Sequence, residues 1–569
     1  MNHIKKISQV NNPIVYLFLA LGVSSICYGI NRELRGLSVF LIVFFFIWIF
    51  LMWGINFSFV VCIFFTIGLF INIAYYNVPD YINDEIRIEN ISNNETIGSY
   101  RGKKINIKNT KEKLEIGQIY NISGTVSKND SDKSKGIVGS IKIKDIHKCE
   151  EDIKSKLYKI KLNIYRNLKD NLGIRKSGLI SSIAFGYSDG LDSSDKNDMK
   201  NFGIIHSISV SGLHVAVVYG FLRIFMGNKL GLAVTIIYVI FTGSNYSSIR
   251  AFVMLATVVG SDIFKRNNNS VSSLCLSAMI LTVYKPYSIF EISFHLSYLA
   301  TLGIILLNKK INNKLYKFPG KLRSGLSITL SAQVFTTPYL LLIFKDFSLN
   351  FIVGNLILIP FINVLVILGN LLFLFYKFQG IFDFISFIVL KIINIFDSVL
   401  NNIDRIALPS FYGNEYYAIL YLSIIISVYF INNGIPKFKY FPLGALIVII
   451  LQVYSPILSI KYYNEGAILV AYRGERVLVS NKKQIDMDRL KEVSEADKVF
   501  RGINGINVKN RCKIKVKGKN YVLEVFDKKY LLKMAGGVNE TSGYDIINFK
   551  DGPFNKIFIL NDEVIKTCS

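Results

Sequence analysis

A set of uninterrupted apolar runs close to bilayer length constrains this chain more than any other feature. They extend from Ile14 to Ile30, from Leu37 to Trp53 and from Ile55 to Tyr76, and a crowded series follows between Ile204 and Leu458. Lipid offers no hydrogen bonds, so a chain crossing it through such runs must pair its backbone internally, which here means helices. At about 20 residues per crossing the runs give roughly a dozen candidate spans. The first run is followed at once by two more and by no cleavage site, which excludes a single signal peptide. Mean hydropathy stays positive at +0.38 although 66 residues are Lys or Arg. That balance describes a polytopic membrane protein with soluble pieces between its spans.

The formal charge of +26 is compatible with a polyanionic partner. Lys, Ile and Asn are also over-used along the whole chain, and Lys marks the cytoplasmic loops of any membrane protein, so charge alone favours a biased composition over a polyanionic partner. The six cysteines, Cys27, Cys62, Cys149, Cys275, Cys512 and Cys568, contain no CxxC pair and outline neither a disulfide framework nor a zinc site.

Five stretches follow from composition. Residues 1–80 read as three transmembrane helices, and Lys5 and Lys6 ahead of the first start the chain in the cytoplasm. Within residues 83–150 hydropathy collapses into the alternating runs EIRIENI, KKINIKN, QIYNISGTVS and IVGSIKIKDI, separated by turn residues. These are four strands of a small β domain that looks like an OB-fold barrel and is expected outside the membrane. Its Tyr100 and Tyr120 are a thin supply of aromatics for stacking bases, so a structural role stands beside nucleic-acid binding.

Residues 151–174 repeat Ile153, Leu157, Ile160, Ile164, Leu168 and Leu172 at helical spacing with lysines between them, a basic amphipathic helix for the membrane surface or for the neighbouring domain. Residues 175–458 form the membrane core. Residues 460–569 return to alternation and form a β-rich soluble domain.

Inside the core, His206 to Gly220 reads HSISVSGLHVAVVYG. Placed on one helix, Ser207, Ser211 and His214 share a face, while Gly212, Ala216 and Gly220 share the opposite one as a ladder for close helix packing. Polar groups at membrane depth face a partner or a water-filled path. A satisfied seam, a pathway lining and a Ser/His hydrolase all remain open, although the hydrolase lacks an acidic residue nearby to orient the base. His206 falls far around that helix from His214, so the pair has no metal-ligand spacing. Arg250 heads another helix, Glu291 and His295 interrupt a third run, and Gln333, Pro338, Asn355 and Pro360 break the next. Such interruptions favour a translocation route over a plain bundle.

The residues also carry a family resemblance. The segment FGYSDGLDSSDKNDMKNFGIIHSISVSGLHVAVV is similar to the hallmark segment of the ComEC competence proteins, the DNA-uptake channels of transformable bacteria. SSIRAFVML, FHLSYLATLGI and AQVFTTPYLLLIFKDFSLNFIVGNLILIP resemble the motifs that follow it, in order, and together they cover residues 175–435. The resemblance implies a multi-pass protein of the bacterial cytoplasmic membrane that passes single-stranded DNA. It also implies partnership with a cytoplasmic helicase-like ATPase and an external DNA receptor, and leaves a homodimer open. His206, Ser207, Ser211, His214, Arg250, Glu291, His295, Gln333 and Asn355 are then the candidates for the DNA path. A transporter of another anionic solute and an intramembrane enzyme are the alternatives. The chain contains no Gly-x-x-x-x-Gly-Lys-Ser/Thr phosphate loop, and no cofactor is expected.

Many members of that family end in a metallo-β-lactamase-like domain, whose chemistry needs a His and Asp cluster. The five histidines here are His3, His147, His206, His214 and His295, and none lies beyond residue 459. The last domain is therefore expected to be a degenerate remnant of that fold or an unrelated cap, without metal-dependent nuclease activity. Its Lys509, Arg511, Lys513, Lys515, Lys517 and Lys519 suit a lysine-protected strand edge better than a DNA contact. The lysines and arginine of residues 308–323 place that loop in the cytoplasm.

Overall fold

The computed structural model describes residues 10–567 apart from 32–33, 92–94, 109–113, 129–134, 266, 464, 483–484, 503–504, 509–511, 518–519, 526–527, 534–543, 550–554 and 561–562. Two compact units result, one of residues 1–335 and 348–408, the other of residues 336–347 and 409–569. Among the described residues nine helices are long and apolar enough to cross a membrane. The protein is a polytopic α-helical membrane protein with a small barrel after its first helices and a β-rich C-terminal region.

The first unit begins with α1 (Pro13–Ile30), α2 (Arg35–Trp53) and α3 (Ile55–Tyr76). Asn72 on α3 donates to Ser25 Oγ on α1 at 2.9 Å, a polar clamp between two apolar helices. The barrel follows as β1 (Tyr81–Ile91), β2 (Thr96–Tyr100), β3 (Lys103–Lys108), β4 (Ile119–Ser127) and β5 (Ile137–Lys148). It closes in the order β1-β2-β3-β5-β4, with β3 and β5 parallel and β4 returning to β1. That is the OB-like arrangement. The fifth strand is β2, whose sequence TIGSY is too short and too glycine-interrupted to show alternation. Tyr100 and Tyr120 are buried in the barrel core with Ile86, Ile105 and Ile122, which removes them as a stacking surface.

Next come α4 (Ile153–Leu172), α5 (Ile174–Phe185), α6 (Ser193–Asn201), α7 (Gly212–Phe241), α8 (Tyr246–Ile263), α9 (Ser270–Tyr284), α10 (Ile292–Lys314), α11 (Gly320–Ile343), α12 (Phe351–Val353), α13 (Ile359–Leu374) and α14 (Gln379–Asp404). The count of spans falls below a dozen partly because α14 is amphipathic. Phe382, Ile385, Val389, Ile393, Phe396 and Leu400 form its single buried stripe, while Asp383 and Asp397 interrupt the rest. The amphipathic α4 buries Ile164, Leu168 and Leu172 in the same core as α5 and α14, so protein covers its apolar face.

The helix α7 is a hairpin. Gly227 (φ 73°, ψ 179°) breaks it, in a conformation that a side chain would strain. A Cβ at Gly231 would lie 3.2 Å from the Arg223 nitrogen, so the second half runs back along the first. At the open end the Thr242 carbonyl and the Val210 side chain both approach Gly186. Each half, 212–226 and 228–241, is about 22 Å long, short of the roughly 30 Å of a hydrocarbon core.

The second unit holds β6 (Asp346–Phe347), β7 (Phe411–Tyr412), α15 (Glu415–Asn432) and α16 (Phe441–Val453). It continues with β8 (Leu458–Tyr463), β9 (Ala467–Tyr472), β10 (Glu475–Ser480), α17 (Met487–Ser494), β11 (Lys498–Arg501), β12 (Ile506–Val508), β13 (Cys512–Lys517), β14 (Asn520–Val525), β15 (Lys528–Lys533), β16 (Asp545–Asn548), β17 (Lys556–Leu560) and β18 (Glu563–Thr567). Two sheets result, β11-β10-β9-β8-β17-β18 and β12-β13-β14-β15-β16. They share one core through Ile460, Val470, Val477, Ile514, Leu523 and Leu532, and α17 covers the other side of the first sheet through Met487 and Leu490. Of the basic run, Lys509, Arg511 and Lys519 lie outside the described residues, and Lys515 pairs with Glu524 on the neighbouring strand at 2.7 Å.

Candidate functional site

His206 to Gly220 is not one helix. Ile205–Ser207 form a 3-10 turn, the chain then leaves helical geometry, and α7 starts at Gly212 with Ser211 extended as its N-cap. Two β-branched residues, Ile208 and Val210, alternate here with serines, a pattern that disfavours continuous helix. The carbonyls freed by the break are met by serines on other helices. Ser182 Oγ on α5 donates to the Ile208 carbonyl at 2.9 Å, and Ser248 Oγ on α8 donates to the Val210 carbonyl at 3.1 Å. Asn245 donates to Ser209 Oγ at 3.1 Å. Irregular backbone inside a membrane bundle is tolerated when protein satisfies it in this way.

The break changes which residues meet. Ser211 and His214 remain together, because the Ser211 backbone N–H donates to His214 Nδ1 at 3.2 Å. That bond holds the neutral ring with its proton on Nε2. The imidazole is fully buried and Nε2 has no hydrogen-bond partner among the described residues. Ser207 sits upstream in the separate turn, buried, its Oγ likewise unpartnered. His206 is exposed, and the break brings it within electrostatic range of His214, where a continuous helix would have separated them.

Arg250 on α8 reaches the start of α7, and a Cβ at Gly212 would lie 2.7 Å from its Nη2. Gly212 therefore meets α8, whereas Ala216 and Gly220 are exposed and Gly220 has open space around its Cβ position. The three small residues do not form one seam within this chain. Arg250 makes no hydrogen bond or ion pair among the described residues, and its Nε is buried without a partner.

Asn355 belongs to a π-helical turn, Gly354–Leu358, between α12 and α13. The turn is pressed onto the chain just ahead of His206, since a Cβ at Gly354 would lie 2.2 Å from the Phe202 carbonyl. Wide turns of this kind recur at functional sites.

The remaining candidates lie elsewhere. Glu291, at the start of α10, pairs with Lys104 of β3 at 3.1 Å, so it anchors the barrel. His295 is half-buried one turn on, and Gln333 lies half-buried on α11, two residues past Ser331, whose carbonyl packs against Gly303 of α10. Sequence reasoning passed over Ser182, Ser247 and Ser248, although serines inside apolar helices were the available sign. It also passed over Arg175 of α5, which holds Asp195 of α6 at 2.6 Å and Asp397 of α14 at 3.0 Å. Among the described residues no group of three or more His, Cys, Asp or Glu could hold a metal ion.

Residues 183–434, which contain the break, the π-helical turn and Arg250, match the family model described as Competence protein. That match spans somewhat under half of the chain, and it is a likeness to the competence proteins over this region. The chain is 24% identical over 238 residues to ComE operon protein 3 of Bacillus subtilis, which covers 40% of this chain and 30% of that protein. It is 23% identical over 264 residues to Recombination protein 2 of Haemophilus influenzae, covering 41% of this chain and 32% of the relative. An uncharacterized protein of Mycoplasma genitalium is 26% identical over 177 residues, 28% of this chain and 46% of that one. The matched segments thus span from about a third to just under half of these relatives. No solved structure matches the chain. The matched region is where apolar helices are interrupted by buried polar groups without partners.

Proposed function

We propose that the protein passes single-stranded DNA across the bacterial cytoplasmic membrane during natural transformation, along a path lined by the broken stretch before α7. The observation that carries this reading is the serine-braced break at Ile208–Ser211 beside an arginine with no counter-charge. Charged side chains at membrane depth are costly and face a partner or a water-filled route. A strand with one negative charge per nucleotide is a partner of the right sign, and the competence-family match supplies the context. His206, Ser207, Ser211, His214, Arg250 and Asn355 line the path in this reading. His295 and Gln333 belong to its continuation, and Glu291 holds the barrel in place.

The barrel lies on the outer side and residues 308–323 in the cytoplasm. A cytoplasmic helicase-like ATPase supplies the driving force, an external receptor supplies the DNA, and two copies could share one membrane site. The protein itself acts as a channel without catalytic chemistry, and the C-terminal β unit is a degenerate remnant of a metallo-β-lactamase-like fold.

The test is a deletion strain. Transformation should disappear while DNA still binds at the cell surface, and His214→Ala should restore membrane abundance without restoring uptake. Normal transformation in the deletion strain would refute the reading and return a small anionic solute to first place. A cysteine at Asn313 that reacts with an impermeant thiol reagent in intact cells would overturn the orientation.

A further inference from the structure

We infer that the first turn of α7 and the Arg250 guanidinium together form a seat for one backbone phosphate of the passing strand. This rests on the DNA reading above and gives it a chemical mechanism. The start of a helix presents backbone N–H groups without intrahelical partners and carries about half a positive charge. At α7 the Ser211 N–H is occupied by His214 Nδ1 in a capping box, so Gly212 and Leu213 carry the next N–H groups of the first turn. The guanidinium lies against Gly212 in the same first turn, near enough that any side chain there would displace it. The positive end of the helix and the guanidinium thus meet with no carboxylate between them, an arrangement that repels itself until an anion enters.

The helix start and the guanidinium are both positive, which excludes a cation as the occupant and fits a phosphate oxygen. The planar Arg fork suits two such oxygens at once. Membrane transporters use the same device, in which half-helix N-termini at a backbone break face the anionic group of the substrate. A single seat also suits passage, because a conducted ion must bind well enough to enter and weakly enough to leave.

The experiment uses the full-length protein in lipid nanodiscs and a labelled oligothymidylate of about 20 nucleotides, with affinity measured across a salt series. Each phosphate contact on a single strand contributes about 0.7 to the slope of log affinity against log salt. Arg250→Gln should weaken binding about tenfold and flatten the slope by about 0.7, with melting temperature and abundance unchanged. Arg250→Lys should keep the slope and lose only part of the affinity, and Gly212→Ala should reproduce the Gln result by pushing the guanidinium away. Inorganic phosphate should raise the melting temperature of the native protein and leave that of Arg250→Gln unmoved.

An unchanged slope in Arg250→Gln overturns the seat and leaves the wider DNA path standing. If that variant does not accumulate, Gly212→Ala decides by the same slope. A native protein that ignores the oligonucleotide yet is stabilised by phosphate through Arg250 keeps the seat and refutes the DNA reading.

Discussion

Arg175 and Arg250 belong to the same unit, yet their surroundings are opposite. Arg175 joins α5, α6 and α14 by holding two carboxylates, one of them on Asp195, whose side chain is 5% exposed. Arg250 lies against α7 with no ion pair or hydrogen bond among the described residues, and its Nε is buried without a partner. A cation that already has its counter-charges can only hold helices together. One without them is left with a charge to spend on something that arrives.

Two more cations extend the contrast outside the membrane spans. Arg87 of β1 grips Asp152, the N-cap of α4, through Nη2 at 2.5 Å and Nη1 at 3.0 Å. Lys161 of α4 is 8% exposed and rests over the Phe241 ring at 4.9 Å with no ion pair among the described residues. Burial pulls its pKa down to about 8.

The comparison breaks most visibly in uptake. Arg250→Gln should lower transformation at least about a hundredfold, the scale of losing about 2.7 kcal/mol of charge stabilisation, while abundance stays within about twofold of the native level. Arg175→Ala should do the reverse, costing about 2–3 kcal/mol of stability by stranding Asp195. That figure sits below the usual cost of a broken buried pair because the Arg175 side chain is 41% exposed. Thermal unfolding in detergent measures it, and equal loss of abundance in both variants would erase the distinction.

Lys161→Met should stabilise the protein by about 2 kcal/mol at pH 7, the burial penalty less the ring contact. The native lysine has a lowered folded-state pKa, so the unfolded chain binds more protons between about pH 8 and the unfolded value of 10.5. Native stability therefore rises across that window, and the advantage of the Met variant should be full below about pH 8 and gone above 10.5. Melting temperatures at three pH values decide the matter.

Asp152→Asn should have the smallest effect, about 1 kcal/mol, since Asn still caps the helix. Arg87 beside it, with Ser155, holds the Asp152 carboxyl below its usual range. Its stabilising effect is thus present above the unfolded value of 3.8 and declines as pH falls below it. Hydrogen exchange at the barrel edge should show the difference near neutrality and not in strong acid.

The membrane class, the small barrel and the C-terminal β region are legible in the sequence because period and length announce them. The strand β2 is not, since five residues with a central glycine carry no period. Pairings across long separations, such as Arg175 with Asp397 or Glu291 with Lys104, leave no local trace. At the candidate site the residue types are legible and their arrangement is not. A helical wheel assumes unbroken helix, and the break before Gly212 depends on serines from α5 and α8 that no local pattern connects to it. The bare Arg250 is hidden for the same reason, because the lack of a counter-charge appears only when every neighbour is in place.

The return of α7 upon itself has a consequence for how the two sides of the membrane are counted. Its 30 residues have the length of a generous crossing, yet Val210 and Thr242 both reach Gly186. A segment that comes back to where it started leaves the parity of the chain unchanged. Any tally that scores α7 as one passage would exchange inside for outside at every loop from α8 onward, and sidedness labels placed before and after the hairpin would disagree with hydropathy by that single step.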